Sequence, residues 1–291
     1  MTLGRSELVL NPDGSVYHLN LLPEDLAKTI ITVGDPERVK QVSRFFDRIE
    51  VQKSKREFKT CTGTYKGRRI SVISTGIGTD NIDIVLNELD ALVNIDLVTR
   101  TVKKDLKRLD IIRIGTSGAI QSDIPVDSFL LSEHAIGLDG LLHYYQTGHM
   151  AYGETIAALV NHTSWATEKP LPYMEACDAE LAKALGSNRI RFGCTITNTG
   201  FYGPQGRVLR LPLADIDLQD RLVSFQHQGI RLTNLEMETS AIYALSKMMG
   251  HRAVSMNCIL ANRITGDFSQ NPKKAMDSLI QYTLDRVSTT P

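Results

Sequence analysis

Arginine inside a protein is costly unless something anionic meets it. The run IIRIGTSGAI, residues 111–120, sets one such residue, Arg113, within an otherwise apolar stretch. Its position calls for a carboxylate partner or a bound anion. Gly115, Thr116, Ser117 and Gly118 follow closely and offer hydroxyls and N–H groups, with two glycines that let a ligand approach the backbone. A second arginine, Arg38, follows an apolar run that stops at Gly34-Asp35-Pro36. Asp35 suits a helix N-cap and Pro36 the first helical position. The free N–H groups and dipole of that helix start would favour an anion, and Arg38 would add a charged fork. The same segment also reads as an ordinary capped helix with a solvated arginine. Two strand ends that each carry arginine and glycine point to phosphate more strongly than either alone.

Three further segments carry chemistry. In NLEMETSA (234–241), Glu236 and Glu238 flank Met237, and a carboxylate can accept hydrogen bonds from both hydroxyls of a diol. Acids at a capped helix start would look the same. In TGFYGPQGRV (199–208), Phe201 can stack on a flat heterocycle. Gln205 offers a donor and an acceptor, and Arg207 donates only. That set matches the C=O, N–H, C=O edge of a pyrimidine, and a Gly-Pro surface loop is the plain alternative. STGIGTDN (74–81) has G-x-G but lacks the third glycine of a dinucleotide fingerprint and the G-K-[ST] of a Walker loop. Its glycines fit close packing beneath a ligand.

These segments need elements to position them. Short apolar runs at 29–33, 69–75, 109–115, 127–133, 189–197, 229–235 and 253–261 read as strands. Helical spacing appears at 81–93, 237–249 and 273–287. Alternation of this kind predicts a mostly parallel sheet with helices on both faces and ligands at the carboxyl ends of its strands. Thirty-three Lys+Arg balance thirty-three Asp+Glu, so bulk charge recruits neither nucleic acid nor membrane. No apolar run approaches the ~20 residues of a membrane span, and the first residues lack a signal-peptide core. The scattered Cys61, Cys177, Cys194 and Cys258 read as reduced thiols of a cytoplasmic protein. The seven histidines show no metal spacing, which predicts no zinc site.

Taken in order, VYHLNL (16–21), GDPERV (34–39), REF (56–58), STGIG (74–78), RIGTSGAIQ (113–121), FYGPQGR (201–207), EMET (236–239) and ANR (261–263) resemble the uridine phosphorylases of nucleoside phosphorylase family I. The resemblance runs from about residue 16 to the C-terminus. It implies a single α/β domain, a three-layer α/β/α sandwich around a mixed, mostly parallel sheet, with residues 1–15 as an N-terminal extension. It also implies reversible phosphorolysis of uridine to uracil and ribose 1-phosphate, without an organic cofactor and with inorganic phosphate as co-substrate.

The roles it implies follow position by position. Gly34, Arg38, Arg113 and Thr116 would hold phosphate, with Arg56 reaching it from a neighbouring subunit. His18, also from the neighbour, would meet the ribose 5′-hydroxyl. Met237 and Glu238 would hold the ribose, with Glu236 in support. Phe201, Gln205 and Arg207 would read the uracil, and Ile77, Leu260 and Ala261 would line the pocket. Arg38, Arg113, Arg207 and Glu238 would carry the catalysis. The partner is thus a second copy of the chain, in a dimer unit or a hexamer of dimers.

Purine-cleaving relatives carry a Ser-Asp pair where this chain has Ala261-Asn262-Arg263, which speaks against purines. Phosphate-independent nucleosidases lack the arginine set that is present here. A purine phosphorylase, a nucleosidase or a non-catalytic nucleoside-binding member of the same fold are the competing readings. There are departures too. Asn81 stands where a serine often joins Glu57 in holding a monovalent cation between subunits, which counts against that site. Neither the charged stretch 94–108 nor residues 141–176 match a motif.

Overall fold

The structure is a computed structural model and describes residues 2–147 and 152–289. The first strand, β1 (Thr29–Val33), is buried along its whole length. Its side chains alternate between two hydrophobic layers, as the two-residue period of a strand requires. Ile31 and Val33 face one layer, and Ile30 faces the other. After β1 come α1 (Pro36–Ser43), β2 (Arg48–Lys55), β3 (Phe58–Tyr65), β4 (Arg68–Ser74) and α2 (Thr79–Asn94). A small ribbon, β5 (Ile95–Asp96) and β6 (Thr101–Val102), precedes the long strand β7 (Asp110–Ala119). Then follow β8 (Phe129–Gly137), α3 (Gly153–Thr163), β9 (Tyr173–Ala176), α4 (Ala179–Leu185) and β10 (Ile190–Thr197). The chain continues through α5 (Leu218–Ser224), β11 (Gln226–His227), β12 (Ile230–Glu236), α6 (Thr239–Met248), β13 (Arg252–Asn262) and α7 (Pro272–Thr289).

Eleven described strands form one mixed sheet, ordered β11-β12-β10-β8-β13-β7-β1-β4-β3-β2, with β9 added to β8. The pairs β4–β1, β1–β7, β7–β13, β8–β10 and β10–β12 are parallel. β13 runs antiparallel to β8. The ends of β12 and β7 also pair, antiparallel, through Asn234↔Ala119 and Leu235↔Gly118. That last contact closes β7, β13, β8, β10 and β12 into a ring. Helices α1, α4 and α7 pack on one face through Val39, Val42, Leu181, Leu279 and Leu284. Helices α2 and α6 cover the other through Ile82, Leu86, Ile242 and Leu245. The result is the α/β/α sandwich around a mixed, mostly parallel sheet.

Several elements differ from the sequence expectation. Strands β2, β3 and β9 escaped it, because the charged, largely exposed β2 carries no apolar run. β7 extends to Ala119, so Thr116, Ser117 and Gly118 lie in a strand paired with β13 and not in a loop beyond one. Within the charged stretch 94–108, the β5–β6 ribbon holds the N-terminus. Leu3 N donates to Arg100 O at 2.8 Å, and Arg100 Nη1 donates to Leu8 O at 2.5 Å. Residues 141–176 contribute α3 and β9, with 148–151 lying outside the described residues. All four cysteines are free, and burial pushes Cys177, Cys194 and Cys258 up to about 12, which leaves them inert as nucleophiles.

Candidate active site

A cavity of about 720 Å³ opens where the carboxyl ends of β1, β4, β7, β12 and β13 converge. Gly34 and Arg38 line it from the β1–α1 junction, and Ile77 from the β4–α2 junction. Arg113 and Thr116 come from β7, Glu236, Met237 and Glu238 from the end of β12, and Leu260 and Ala261 from β13. The loop after β10 adds Phe201, Gln205 and Arg207. Thirteen of the fifteen residues singled out in the sequence therefore share one cavity. The other two, His18 and Arg56, do not line the cavity of their own chain.

Arg113 is buried and densely engaged. Its Nη2 lies 2.6 Å from Glu238 Oε2 and 3.1 Å from Glu236 Oε2. Its Nη1 donates to Asn257 Oδ1 at 2.9 Å and to Ser255 Oγ at 3.3 Å. Both alternatives posed by the sequence thus meet in one residue, since Arg113 has carboxylate partners and also lines the cavity. Burial pulls the guanidinium down, but Glu236 and Glu238 outweigh it and hold Arg113 above its ordinary range. Gly115 makes room for this arrangement, because a Cβ there would lie 2.2 Å from Arg113 Nη1.

The two glutamates differ in freedom. Glu236 Oε2 accepts from the Glu238 and Thr239 N–H groups, both at 2.9 Å, and Oε1 accepts from Thr197 Oγ1 at 2.5 Å. It is saturated and acts as a brace. Glu238 sits before the first turn of α6 with non-helical backbone (φ −138°, ψ −30°), which turns its side chain away from the helix. Its Oε1 accepts from Gly78 N at 3.0 Å. Burial, reinforced by Glu236, keeps the Glu238 carboxyl above the usual glutamate range in spite of Arg113. Two buried carboxylates beside one buried cation form a strongly polarised wall.

Arg38 contrasts with Arg113. It is partly buried, and no hydrogen bond or ion pair holds its guanidinium among the described residues. Burial first, then the neighbouring Arg113, pulls it below the ordinary arginine range. Arg38 thus brings to this end of the cavity a guanidinium without a partner among the described residues, a group able to take an anion. The helix start does not contribute as expected. Pro36 has no N–H, Asp35 Oδ1 takes the Glu37 N–H at 2.8 Å, and the Arg38 N–H bonds to Asp35 O at 3.0 Å. The first turn of α1 is therefore capped from within, and its N–H groups are not open to a ligand.

At the other end the loop after β10 is latched upon itself. Arg207 Nη1 donates to Gln205 Oε1 at 2.5 Å and to Phe201 O at 2.6 Å. The guanidinium carbon lies 3.8 Å above the centre of the Phe201 ring. Arg263 Nη1 donates to the Gln205 carbonyl and anchors the loop to the end of β13. Burial, and then Arg263, lowers Arg207 from its ordinary range. A Gln205 carbonyl oxygen has a second lone pair, and its NH₂ group is free to donate.

Sequence reasoning missed the brace around these groups. Ser255 and Asn257 hold Arg113, Gly78 holds Glu238, and Phe268 lines the cavity from a turn bridged to Ala261. No local pattern marks the polar residues, whose partners lie far away in the chain. Arg56 takes a left-handed conformation (φ 55°) at the tip of the β2–β3 hairpin, as a two-residue hairpin turn requires.

Among the described residues no cluster of His, Cys, Asp and Glu suits a metal ion, and no helix is long and apolar enough to cross a membrane. With fold and cavity in view, the chain belongs to the Phosphorylase superfamily, whose profile matches residues 28–287. Within it the chain is a nucleoside phosphorylase, as its relatives indicate. It is 31% identical over 268 residues to a uridine phosphorylase of Thermococcus kodakarensis, covering 90% of this chain and 83% of the relative. A solved nucleoside phosphorylase of Trypanosoma brucei that shows uridine phosphorylase activity superposes with a TM-score of 0.86 at 31% identity, covering 96% of this chain and 98% of that one. A purine nucleoside phosphorylase of Brevibacillus brevis is 26% identical over 273 residues, covering 92% and 97%.

Proposed function

We propose that the protein is a uridine phosphorylase that converts uridine and phosphate reversibly to uracil and α-D-ribose 1-phosphate in pyrimidine salvage. The observation that carries the choice of base is the Phe201–Gln205–Arg207 latch. Gln205 can accept the ring N3–H while its NH₂ donates to one carbonyl, and Arg207 donates to the other. Asn262 supports the same reading against purines. Its side chain is spent on the Gln121 and Ile124 carbonyls and on the Ile264 and Thr265 N–H groups, so it offers nothing to a purine N7.

Phosphate sits against Arg38, Arg113 and Thr116 beside Gly34, and Glu238 accepts from the ribose hydroxyls next to Met237. As the glycosidic bond lengthens, the ribose gains oxocarbenium character, which the phosphate anion offsets in a dry pocket. Uracil departs as an anion, and Arg207 meets the charge on its carbonyl oxygen. Much of the remaining acceleration is positioning of two bound reactants. Arg56 and His18 complete the site of a second copy, in a dimer unit. Both lie off their own cavity, and both adjoin Tyr17: the Arg56 guanidinium is 5.9 Å and the His18 ring 4.9 Å from its centre. The free thiols suit a reducing, cytoplasmic setting.

The direct test is uracil release from uridine with and without phosphate, with inosine and thymidine in parallel. Uracil formed only with phosphate supports the proposal. Release without phosphate makes the protein a nucleosidase, activity on inosine alone overturns the base assignment, and silence with every substrate favours a nucleoside-binding protein. A finer check is Arg207→Ala, which should lower kcat/KM for uridine about 100-fold, in line with loss of one charge-stabilising donor, and shift the KM for phosphate far less. Unchanged uridine turnover in that variant would remove Arg207 from the base site.

A further inference from the structure

Glu88, on α2, collects three N–H groups from two consecutive residues that lie seventy positions earlier in the chain. Its carboxylate accepts from His18 N at 2.9 and 3.0 Å and from Leu19 N at 2.8 Å. The same Oε1 lies 2.7 Å from His18 Nδ1. A carboxylate can only accept, so Nδ1 carries the proton in this contact and the neutral ring is left with Nε2 as its acceptor. Nε2 has no partner among the described residues. Tyr17 and Phe58 flank the ring edge-on, with centroids 4.9 and 6.3 Å away. The imidazole is thus fixed in position, orientation and tautomer, yet none of the described residues uses its free nitrogen. Glu88 itself is only 14% exposed, and its bonds to two backbone N–H groups leave it little freedom to move.

The geometry points to Glu88 as the positioning residue of His18: it sets the tautomer in which Nε2 accepts a hydrogen bond from the 5′-hydroxyl of a nucleoside bound in the second copy's cavity. The inference rests on the proposed role of His18 and extends it to a residue that lies in no motif and does not line the cavity. It also gives that hydroxyl the role of donor, so a nucleoside lacking it loses the contact without a steric penalty.

The experiment compares uridine with 5′-deoxyuridine on the wild-type enzyme and on His18→Ala, Glu88→Leu and the double variant. Wild type should prefer uridine in KM by about tenfold, the value of one net hydrogen bond. His18→Ala should erase that preference, Glu88→Leu, which removes the acceptor, should erase most of it, and the double variant should go no further than His18→Ala. A merely structural Glu88 would weaken both substrates alike and leave their ratio intact, which overturns the proposal while His18 keeps its role. If His18→Ala itself keeps the preference, the His18 assignment falls first and Glu88 loses its object. A second measurement needs no folded variant of Glu88. Two-bond ¹H–¹⁵N spectra of the wild-type histidines at mildly alkaline pH, with His18 assigned by its loss in His18→Ala, should show Nδ1 protonated. An Nε2–H tautomer at His18 would sink the inference whatever the kinetics.

Discussion

Arg113→Met will lower kcat/KM for phosphorolysis by at least ~10³-fold and will also weaken the fold. Methionine fills much of the same volume, so the loss is one of charge. In the native protein that charge is shared between Glu238 at 2.6 Å and Glu236 at 3.1 Å. Its removal leaves two buried carboxylates without a cation, a change worth about 3–5 kcal/mol against folding. On the proposed mechanism it also leaves Arg38 as the only arginine of its own chain against the phosphate. The two effects separate by experiment. Thermal unfolding reports the ion pairs, and the KM for phosphate, measured well below the melting temperature, reports the anion site. Arg113→Lys should rescue part of the stability but little of the activity, because an ammonium cannot fork between two carboxylates and two neutral acceptors. If Arg113→Met stayed folded and turned over uridine within tenfold of wild type, Arg113 would be a structural ion pair and nothing more.

Glu238→Gln is the second large effect. The amide keeps the shape and can still accept from Gly78 N, and Arg113 keeps Glu236, so the fold should hold. On the proposed mechanism, what disappears is the negative charge that receives the ribose hydroxyls as positive charge grows at the anomeric carbon. Loss of one such contact is worth ~3 kcal/mol, roughly 150-fold in kcat/KM, and it should fall on the nucleoside more than on phosphate. Glu238 also predicts a pH dependence. Its carboxyl titrates above the usual glutamate range because it is buried beside Glu236. Uridine binding measured without phosphate should therefore weaken as pH falls, starting from a higher pH than an exposed glutamate would set. Glu238→Gln should flatten that limb. A limb that survives in the variant would belong to another group and would remove Glu238 from ribose binding.

How far the sequence could be read depends on where each signal is stored. Strands β1, β7 and β13 are buried by helices on both faces, so they stand out as continuous apolar runs. Strand β2, RIEVQKSK, is an exposed edge whose charges guard against pairing with other chains, and those charges hide it from a hydrophobic reading. Arg113 was legible because a charge inside an apolar run breaks a rule that only a partner can excuse. Asn257, Ser255 and Glu88 break no local rule, and their importance lies in partners 142 to 144 or seventy residues away. The α1 cradle misled for a related reason. Gly-Asp-Pro correctly announced a capped helix, but the cap consumes the N–H groups that the anion was expected to use.

The strand order also has a consequence for synthesis on the ribosome. β13 is the last of the described strands, yet it lies between β7 and β8, and its residues brace Arg113 and line the cavity. Until residues 252–262 leave the exit tunnel, the parallel partner of β7 and the antiparallel partner of β8 are missing, and both strands carry an open edge. Between the emergence of β8 and that of β13 the nascent chain therefore carries two unsealed, apolar half-sheets. A stall or premature stop before this strand leaves a sticky fragment that calls for chaperone capture and holds no partly working enzyme.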